Sequence, residues 1–281
     1  MAELAVTGAT GGLGGRVARA LAARGVAQRL LVRDPSRAPE LPGASVVRST
    51  YAAGDPEPMR GVRTLLMVSA AESADRLEQH LAFVDAAAEA GVEHVVYTSF
   101  YGAAPDATFT LARDHWATEQ HLRASGMGFT FLRDNLYLDF LPDLVGEDGV
   151  IRGPAGAGRV AAVTRDDVAA SAVAVLLDIA PHAGATYDLT GPTAPTLTEV
   201  AEILSAHLGR PVRYHDETVE EAYASRRRWE APQWQYDAWV STYTAIARGE
   251  LAGVTDHVER LTGRAATGLA AYLSRTPQSP A

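Results

Sequence analysis

Three features of the 281-residue sequence predict an α/β fold built on a doubly wound parallel sheet. Short apolar runs alternate with helical stretches, a glycine-rich turn joins the first run to the first helix, and the length and ordinary globular composition (47% hydrophobic, 21% charged) suit a large domain with a smaller lobe. Runs that are apolar throughout belong to strands covered on both faces, which points to parallel pairing. A Rossmann-type sheet with a smaller, mainly helical C-terminal substrate lobe is the expected architecture, and ligands of such a sheet bind at the carboxyl ends of its strands.

The first strand, residues 4–6, runs into Val6-Thr7-Gly8-Ala9-Thr10-Gly11-Gly12-Leu13-Gly14. Glycines at 8, 11 and 14 reverse the chain, let a pyrophosphate approach backbone N–H groups, and let the following helix lie close on the strand. Gly8, Thr10, Gly11, Gly12 and Leu13 are therefore expected to bind a dinucleotide, helped by the positive end of a helix over residues 13–24 that Gly25 closes. A second strand over 29–32 ends in Arg33-Asp34-Pro35. An acidic residue here accepts from the ribose hydroxyls of NAD, whereas an arginine pairs with the 2′-phosphate of NADP. Arg33, with Arg37 one turn on and Asp34 turned away, favours NADP(H); NAD(H) is the alternative, and a simple turn cap is the other reading of Arg33.

A third strand over 44–48 leads into a Gly/Pro-rich loop through Pro58, and a fourth over 63–68 ends in Ser69-Ala70-Ala71. The helix predicted over 73–90 carries Leu77, Leu81, Val84 and Ala88 on one face and stops at Gly91. A fifth strand over 94–99 ends in Thr98 and Ser99, followed by a helix over 114–124 and a sixth strand over 128–133. The loops after Val6, Val32, Val68 and Thr98 are expected to share one crevice.

From 134 to 158 the pattern loosens; residues 160–163 then lead to a helix opening at Asp166-Asp167-Val168 and ending near 179, and a last strand covers 186–190. Thr198-Glu199 opens another helix, and the remainder, with Arg226-Arg227-Arg228-Trp229 and residues 234–239, reads as helical and aromatic-rich. Its tryptophans are either lobe core or a platform for a flat substrate. The expected domains are 1–133 with 159–191 for dinucleotide binding and 134–158 with 192–275 for substrate, with a flexible tail at 276–281.

Composition excludes much chemistry. There is no cysteine, so disulfides, thiolate metal sites and cysteine nucleophiles are absent, and no metal is expected. All 25 basic residues are arginine, which removes Schiff-base chemistry, the lysine of a phosphate-binding P-loop and any catalytic lysine. Proton transfer must use His, Asp, Glu, Tyr or water. A net charge of −9 argues against a nucleic-acid surface. No apolar run is long enough for a membrane span and no signal-like segment precedes the glycine turn, so a cytoplasmic protein, with a homodimer as an option, is expected.

In this order the motifs resemble the short-chain dehydrogenase/reductase superfamily, in particular its atypical NmrA-like branch with the type 2 NAD(P)H:quinone oxidoreductases. The glycine turn is joined by Val32-Arg33-Asp34-Pro35, Leu66-Met67-Val68-Ser69, Val96-Tyr97-Thr98-Ser99, Asp114-His115-Trp116-Ala117-Thr118-Glu119, Leu132-Arg133-Asp134-Asn135, Arg165-Asp166-Asp167-Val168-Ala169 and Leu261-Thr262-Gly263-Arg264. The resemblance implies cofactor contacts at Ser69, Ala70, Ala71, Thr98, Ser99, His115 and Asn135 as well as at the turn and Arg33. It also exposes a departure: the superfamily's Tyr and Lys, four residues apart, fall on Leu111 and His115, and its acidic residue after the third strand is replaced by Thr50 and Tyr51. A quinone accepts hydride with little acid catalysis, so positioning can suffice; alternatively His115 donates the proton, or it only hydrogen-bonds the ribose or a loop. Tyr137, Tyr97 and Tyr101 are weaker donors, and Asp114 and Glu119 are expected to be helix-cap and solvated-face residues. The implied function is an NAD(P)H-dependent reductase of a quinone or related conjugated carbonyl or aromatic substrate. The alternatives are a non-catalytic NAD(P)-binding redox sensor of the NmrA type and a tailoring redox enzyme of aromatic natural-product biosynthesis.

Overall fold

A computed structural model gives the fold and describes residues 3–275; the tail expected at 276–281 lies outside the described residues. In chain order the elements are β1 (Leu4–Thr7), α1 (Gly12–Ala22), β2 (Gln28–Val32), β3 (Ala44–Arg48), β4 (Thr64–Met67), α2 (Arg76–Ala90), β5 (His94–Phe100), α3 (Thr110–Ala124) and β6 (Gly128–Asp134). They continue as β7 (Val150–Gly153), α4 (Arg165–Leu177), β8 (Thr186–Leu189), α5 (Leu197–Leu208), β9 (Arg213–Asp216), α6 (Val219–Arg226), α7 (Gln233–Ala247), α8 (His257–Thr262) and α9 (Leu269–Arg275). The chain divides into two compact units: one holds residues up to 103 with 114–133 and 165–188, the other 104–113, 134–164 and the chain from 189 onward.

The seven-stranded sheet has the order β3-β2-β1-β4-β5-β6-β8. The β1–β2, β2–β3, β1–β4 and β4–β5 pairs are parallel, with Leu4 facing both Gln28 and Thr64. The bonds Gly184 N–H to Phe129 O, Phe131 N–H to Ala185 O and Asn135 N–H to Leu189 O advance together along β6 and β8, as in a parallel pair. Sequence order reverses between β1 and β4, so the loops after these two strands flank the switch point where a doubly wound sheet binds its ligand. Every residue of β1, β2 and β5 is buried, which explains the short apolar runs at 4–6, 30–32 and 95–97 within them.

Helix α2 begins at Arg76, three residues later than the pattern predicts, and its buried face is rotated from the predicted stripe. Arg76, His80, Phe83, Val84 and Ala87 are buried, while Leu77, Leu81 and Ala88 are only half-buried. An apolar count misses this because two of the inward residues are polar and are accommodated by hydrogen bonds. Helix α3 starts at Thr110, four residues before the predicted Asp114.

The second unit contains a sheet that the sequence pattern does not predict. Strands β7 and β9 pair in parallel from Val150–Arg213 to Gly153–Asp216. Each has four residues, and the residues of β9, Arg-Tyr-His-Asp, are polar or amphipathic, so neither carries a strand signature. Tyr214 secures the pair by donating to Gly153 O (2.7 Å) and accepting from Ala155 N–H (2.9 Å). Gly153 has no alternative, because a Cβ there would lie 2.1 Å from the Tyr243 ring. Helix α5 opens one residue before the predicted start on a capping box, in which Thr196 accepts from Glu199 N–H and Glu199 accepts from Thr196 N–H. Trp229, Tyr236 and Trp239 pack on one another at centroid separations of 6.1 and 5.8 Å, and the Arg228 guanidinium lies 3.9 Å above the Trp229 ring.

Candidate functional site

The first wall of the site is the turn after β1. Gly8 has φ +65°, a left-handed conformation suited to glycine, and its carbonyl accepts from Gly11 N–H at 2.8 Å. A Cβ on Gly14 would sit 2.4 Å from Gly8 O and 2.6 Å from Thr7 O, so helix α1 can lie this close to β1 only with glycine there. No side chain caps α1 and no acid sits in its first turn, which leaves the positive end of the helix open to an anion. Thr10, Gly11 and Gly12 are exposed around it, whereas the Leu13 side chain is buried and presents only backbone. Arg16 and Arg165 flank Gly12, their side chains 3.4 to 3.6 Å from where its Cβ would be, although Arg16 is also tied to Asp166 (2.6 Å).

At the end of β2, Arg33 is exposed, and Asp34 turns onto its own 3₁₀ turn, accepting from Ser36 N–H (3.0 Å) and the Ser36 hydroxyl (2.7 Å). These bonds, with Arg37 and Arg48 nearby, hold the Asp34 carboxyl below its ordinary range. Arg48 comes from the end of β3, in register with Val32. Arg37 and Arg48 thus flank a carboxylate that Ser36 already occupies, with the exposed Arg33 one residue before it. Thr50 precedes Tyr51, and the Tyr51 ring stacks on Phe83 at 4.2 Å. Its hydroxyl donates to Val68 O and meets Thr7 Oγ1 (2.8 Å), while Thr7 Oγ1 accepts from Val68 N–H (2.8 Å). Tyr51 therefore pins the ends of β1 and β4 together; burial raises the pKa of its phenol.

The loop after β4 is fastened from behind. Ser69 N–H donates to Thr98 Oγ1 (2.9 Å), Ala70 N–H to His80 Nε2 (2.9 Å), and Arg76 Nε donates to Ala70 O (3.2 Å). Ala71, at the tip, is exposed. Thr98 and Ser99 are buried, and their hydroxyls serve the protein: Thr98 supports Ser69, and Ser99 donates to Glu119 Oε1 at 2.6 Å. Glu119 is not the solvated residue its helical spacing predicts but is fully buried, chelated by Arg133 at 2.8 and 2.6 Å. Asp114 is not a cap either, because α3 starts four residues earlier and the carboxylate pairs with Arg76 at 3.2 Å.

His115 lies inside this assembly, 6% exposed. Arg76 Nη2 is 2.7 Å from His115 Nε2, and a guanidinium only donates, so Nε2 must carry no proton. The ring proton is then on Nδ1 and is given to the Tyr97 hydroxyl at 2.9 Å. His80 obeys the same logic: Ala70 N–H occupies its Nε2, and Nδ1–H donates to Thr118 Oγ1 (3.0 Å), which donates to Asp114 O (2.7 Å). Burial and the Arg76 charge depress the His80 imidazole to about 3, and burial, Arg76, His80 and Arg133 push His115 well below its ordinary value. Burial likewise raises the pKa of Tyr97, which has no exposed surface. Both imidazoles are neutral at pH 7, and the Nδ1–H of each is already given to a buried hydroxyl.

The remaining predicted residues lie in the second unit. Asn135 is buried, with Nδ2 donating to Leu251 O (3.0 Å) and Oδ1 accepting from Leu136 N–H (2.8 Å). Tyr137, half-buried, bridges in parallel to Val163 and has its ring 6.1 Å from Phe140.

The NmrA-like family profile matches residues 2–227. The chain belongs to the NmrA-like family. An NAD(P)H azoreductase of Xenophilus azovorans is 34% identical over 277 residues, spanning 95% of each chain. The crystal structure of an NADPH-dependent quinone oxidoreductase of Escherichia coli complexed with NADPH superposes with a TM-score of 0.87 at 32% identity, covering 96% of this chain and 98% of that one. That of a Citrobacter triphenylmethane reductase complexed with NADP(H) gives 0.86 at 32% identity, covering 97% and 99%.

Sequence reasoning singles out the glycine turn, whose backbone is exposed, and Arg33; it names Tyr51 only as a replacement for an acid, not as the clasp between β1 and β4, and it overlooks Arg48, Arg76 and His80. For Arg48 a signal exists, since the ends of β2 and β3 are neighbours in any doubly wound sheet. Arg76 and His80 carry no local signal: their partners are Asp114, His115 and Thr118, 38 or 39 residues away. Among the described residues, no helix is long and apolar enough to cross a membrane.

Proposed function

We propose that this protein is an NADPH-dependent oxidoreductase that delivers hydride to quinones or other flat, conjugated acceptors. It belongs in the cytoplasm, where the reduced cofactor is available, and NADH is the weaker donor. The near full-length likeness to reductases of azo, quinone and triphenylmethane compounds supports this class of acceptor. The observation that carries the mechanism is the neutral, sealed His80–Tyr97–His115 assembly beneath the Ser69–Ala71 loop.

The residues fit a dinucleotide phosphate. The open end of α1, with Thr10, Gly11 and Gly12, accepts the pyrophosphate, for which the close approach at Gly14 makes room. Arg33, Arg37 and Arg48 receive the 2′-phosphate, since Asp34 is already occupied. The loop of Ser69, Ala70 and Ala71 is rigid enough to shape the far end of the site, with Thr98 and His80 holding it from behind. The reduced nicotinamide supplies hydride when bound. The protein contributes orientation and no charged acid: His115 positions, and the proton that completes the reduced product comes from water. A quinone tolerates this because its reduced anion is a stabilised phenolate.

The test mixes the purified chain with NADPH, or with NADH, and a panel of quinones, azo dyes and triphenylmethane dyes, following loss of the nicotinamide absorbance. Turnover with NADPH favoured over NADH is expected. Tight dinucleotide binding without turnover of any acceptor would make the protein a binding module instead. Tyr137→Phe should leave the rate within about two-fold; a loss of ten-fold, about 1.4 kcal/mol, would move the proton from water to Tyr137.

A further inference from the structure

Arg76 is 3% exposed, and its single guanidinium reaches three separate places. Nε donates to Ala70 O in the loop after β4 (3.2 Å), Nη1 to Asp114 Oδ2 (3.2 Å) and Nη2 to His115 Nε2 (2.7 Å), the last two on α3. A buried cation is costly unless paired; Asp114 supplies an ion pair and the Glu72 carboxyl also feels the Arg76 charge, while Ala70 O and His115 are neutral. The Asp114 side chain is itself 24% exposed. An apolar residue of similar volume would fill the space without that penalty, so the packing of α2 does not explain an arginine. What the guanidinium does that no apolar side chain can is fix geometry. Its planar fork orients the His115 ring, forbids a proton on Nε2, and ties the loop tip to the helix that carries His115.

We propose that Arg76 is the positioning residue of this site. It locks His115 in the neutral Nδ1–H tautomer and holds the Ser69–Ala71 loop in the shape that receives the reduced dinucleotide. The inference rests on the dinucleotide reading of the site and deepens it. The groups that bear on His115 are Arg76 and His80 from α2, Tyr97 from β5, Arg133 from β6, Asp114 on its own helix, and Glu119, whose charge Arg133 takes up. Of these Arg76 contacts Nε2 and Tyr97 contacts Nδ1, and because the Tyr97 hydroxyl can donate or accept, Arg76 is the partner that forces the tautomer.

The first measurement uses the unaltered protein. Nitrogen-15 spectra of its histidine side chains should show two rings in the Nδ1–H form that do not titrate between about pH 5.5 and 8, His80 and His115, the second assigned by its loss in His115→Gln. An Nε2–H form or an ordinary titration of both buried rings would overturn the proposal even if no variant folds, and of the ring assigned to His115 would overturn it where His115→Gln folds. In Arg76→Met the same ring should titrate or populate both tautomers, and the Kd for NADPH, read by nicotinamide fluorescence, should rise at least ten-fold. Arg76→Lys should keep His115 neutral, because a cation remains, but should not restore NADPH affinity, because an ammonium does not span the three partners. Unchanged affinity and an unchanged tautomer in Arg76→Met would refute the role. The tautomer readout needs no acceptor and no cofactor, so a protein that turns over no quinone would fail the proposed function while still testing Arg76.

Discussion

At Arg33 the exposed guanidinium stands beside a carboxylate that Ser36 already occupies, so truncation removes a cation without releasing an anion to replace it. Arg33→Ala is expected to weaken NADPH binding about ten-fold, roughly 1.4 kcal/mol, while the Kd for NADH stays within two-fold. Equal losses for both dinucleotides, measured by fluorescence titration, would assign Arg33 to the turn alone. The arginine is legible in the sequence because it follows directly on a recognisable strand. Arg48 is legible one step further on, from the predicted adjacency of β2 and β3, whereas the clasp residue Arg76 is not, since only the α2–α3 packing brings it to His115. Thr98 and Ser99 show the converse: their position along β5 is predicted correctly, yet their hydroxyls face inward to Ser69 and Glu119.

Between elements, Glu119 on α3 ties two strands together. The carboxylate accepts from Ser99 on β5 and from two nitrogens of Arg133 on β6, with Arg123 at 3.4 Å. Glu119→Ala leaves Arg133 without this partner and should lower stability by about 3 to 5 kcal/mol, seen as a shift of the urea midpoint at constant slope. A change below about 1 kcal/mol, the range of an exposed ion pair, would refute that expectation. Gly14→Ala tests the other contact between elements: its Cβ meets backbone that cannot yield, so a loss of about 1 to 3 kcal/mol and of dinucleotide binding together is expected. The strands of the seven-stranded sheet are legible to within a residue or two because each carries a short apolar run between turn signals, most plainly in the buried β1, β2 and β5. The facing of α2 is not, since a stripe containing Arg and His reads as solvent-exposed until its partners are known. The β7–β9 pair escapes for a related reason: four residues are too few for a period to emerge.

For the whole molecule, the neutral histidines separate the effect of acid on folding from its effect on rate. Unfolded, His80 and His115 titrate near about 6.5; folded, the first is held at about 3 and the second well below its usual range. Between these values the unfolded chain binds protons that the native chain refuses. Stability is therefore complete above about pH 7 and falls as the pH drops through 6.5, by up to ~1.4 kcal/mol per pH unit for each ring. Urea midpoints at pH 7.5, 6 and 5 should decline in that order, and a flat series would contradict the buried neutral state. Initial rates over the range in which the protein stays folded should show no histidine ionisation.

The basic side chains of this protein, from the clasp at Arg76 to the corner at Arg33, are all arginines, and no thiol accompanies them. Quinones are electrophiles that add to thiols and to neutral amines, whereas a guanidinium keeps its proton at any working pH and is no nucleophile. A reductase of such compounds works in the presence of reagents that would arylate an ordinary protein. Lacking both cysteine and lysine, this chain offers them no thiol or amine side chain, and its mass spectrum after prolonged turnover with benzoquinone should show adducts only at the slower α-amino and imidazole groups.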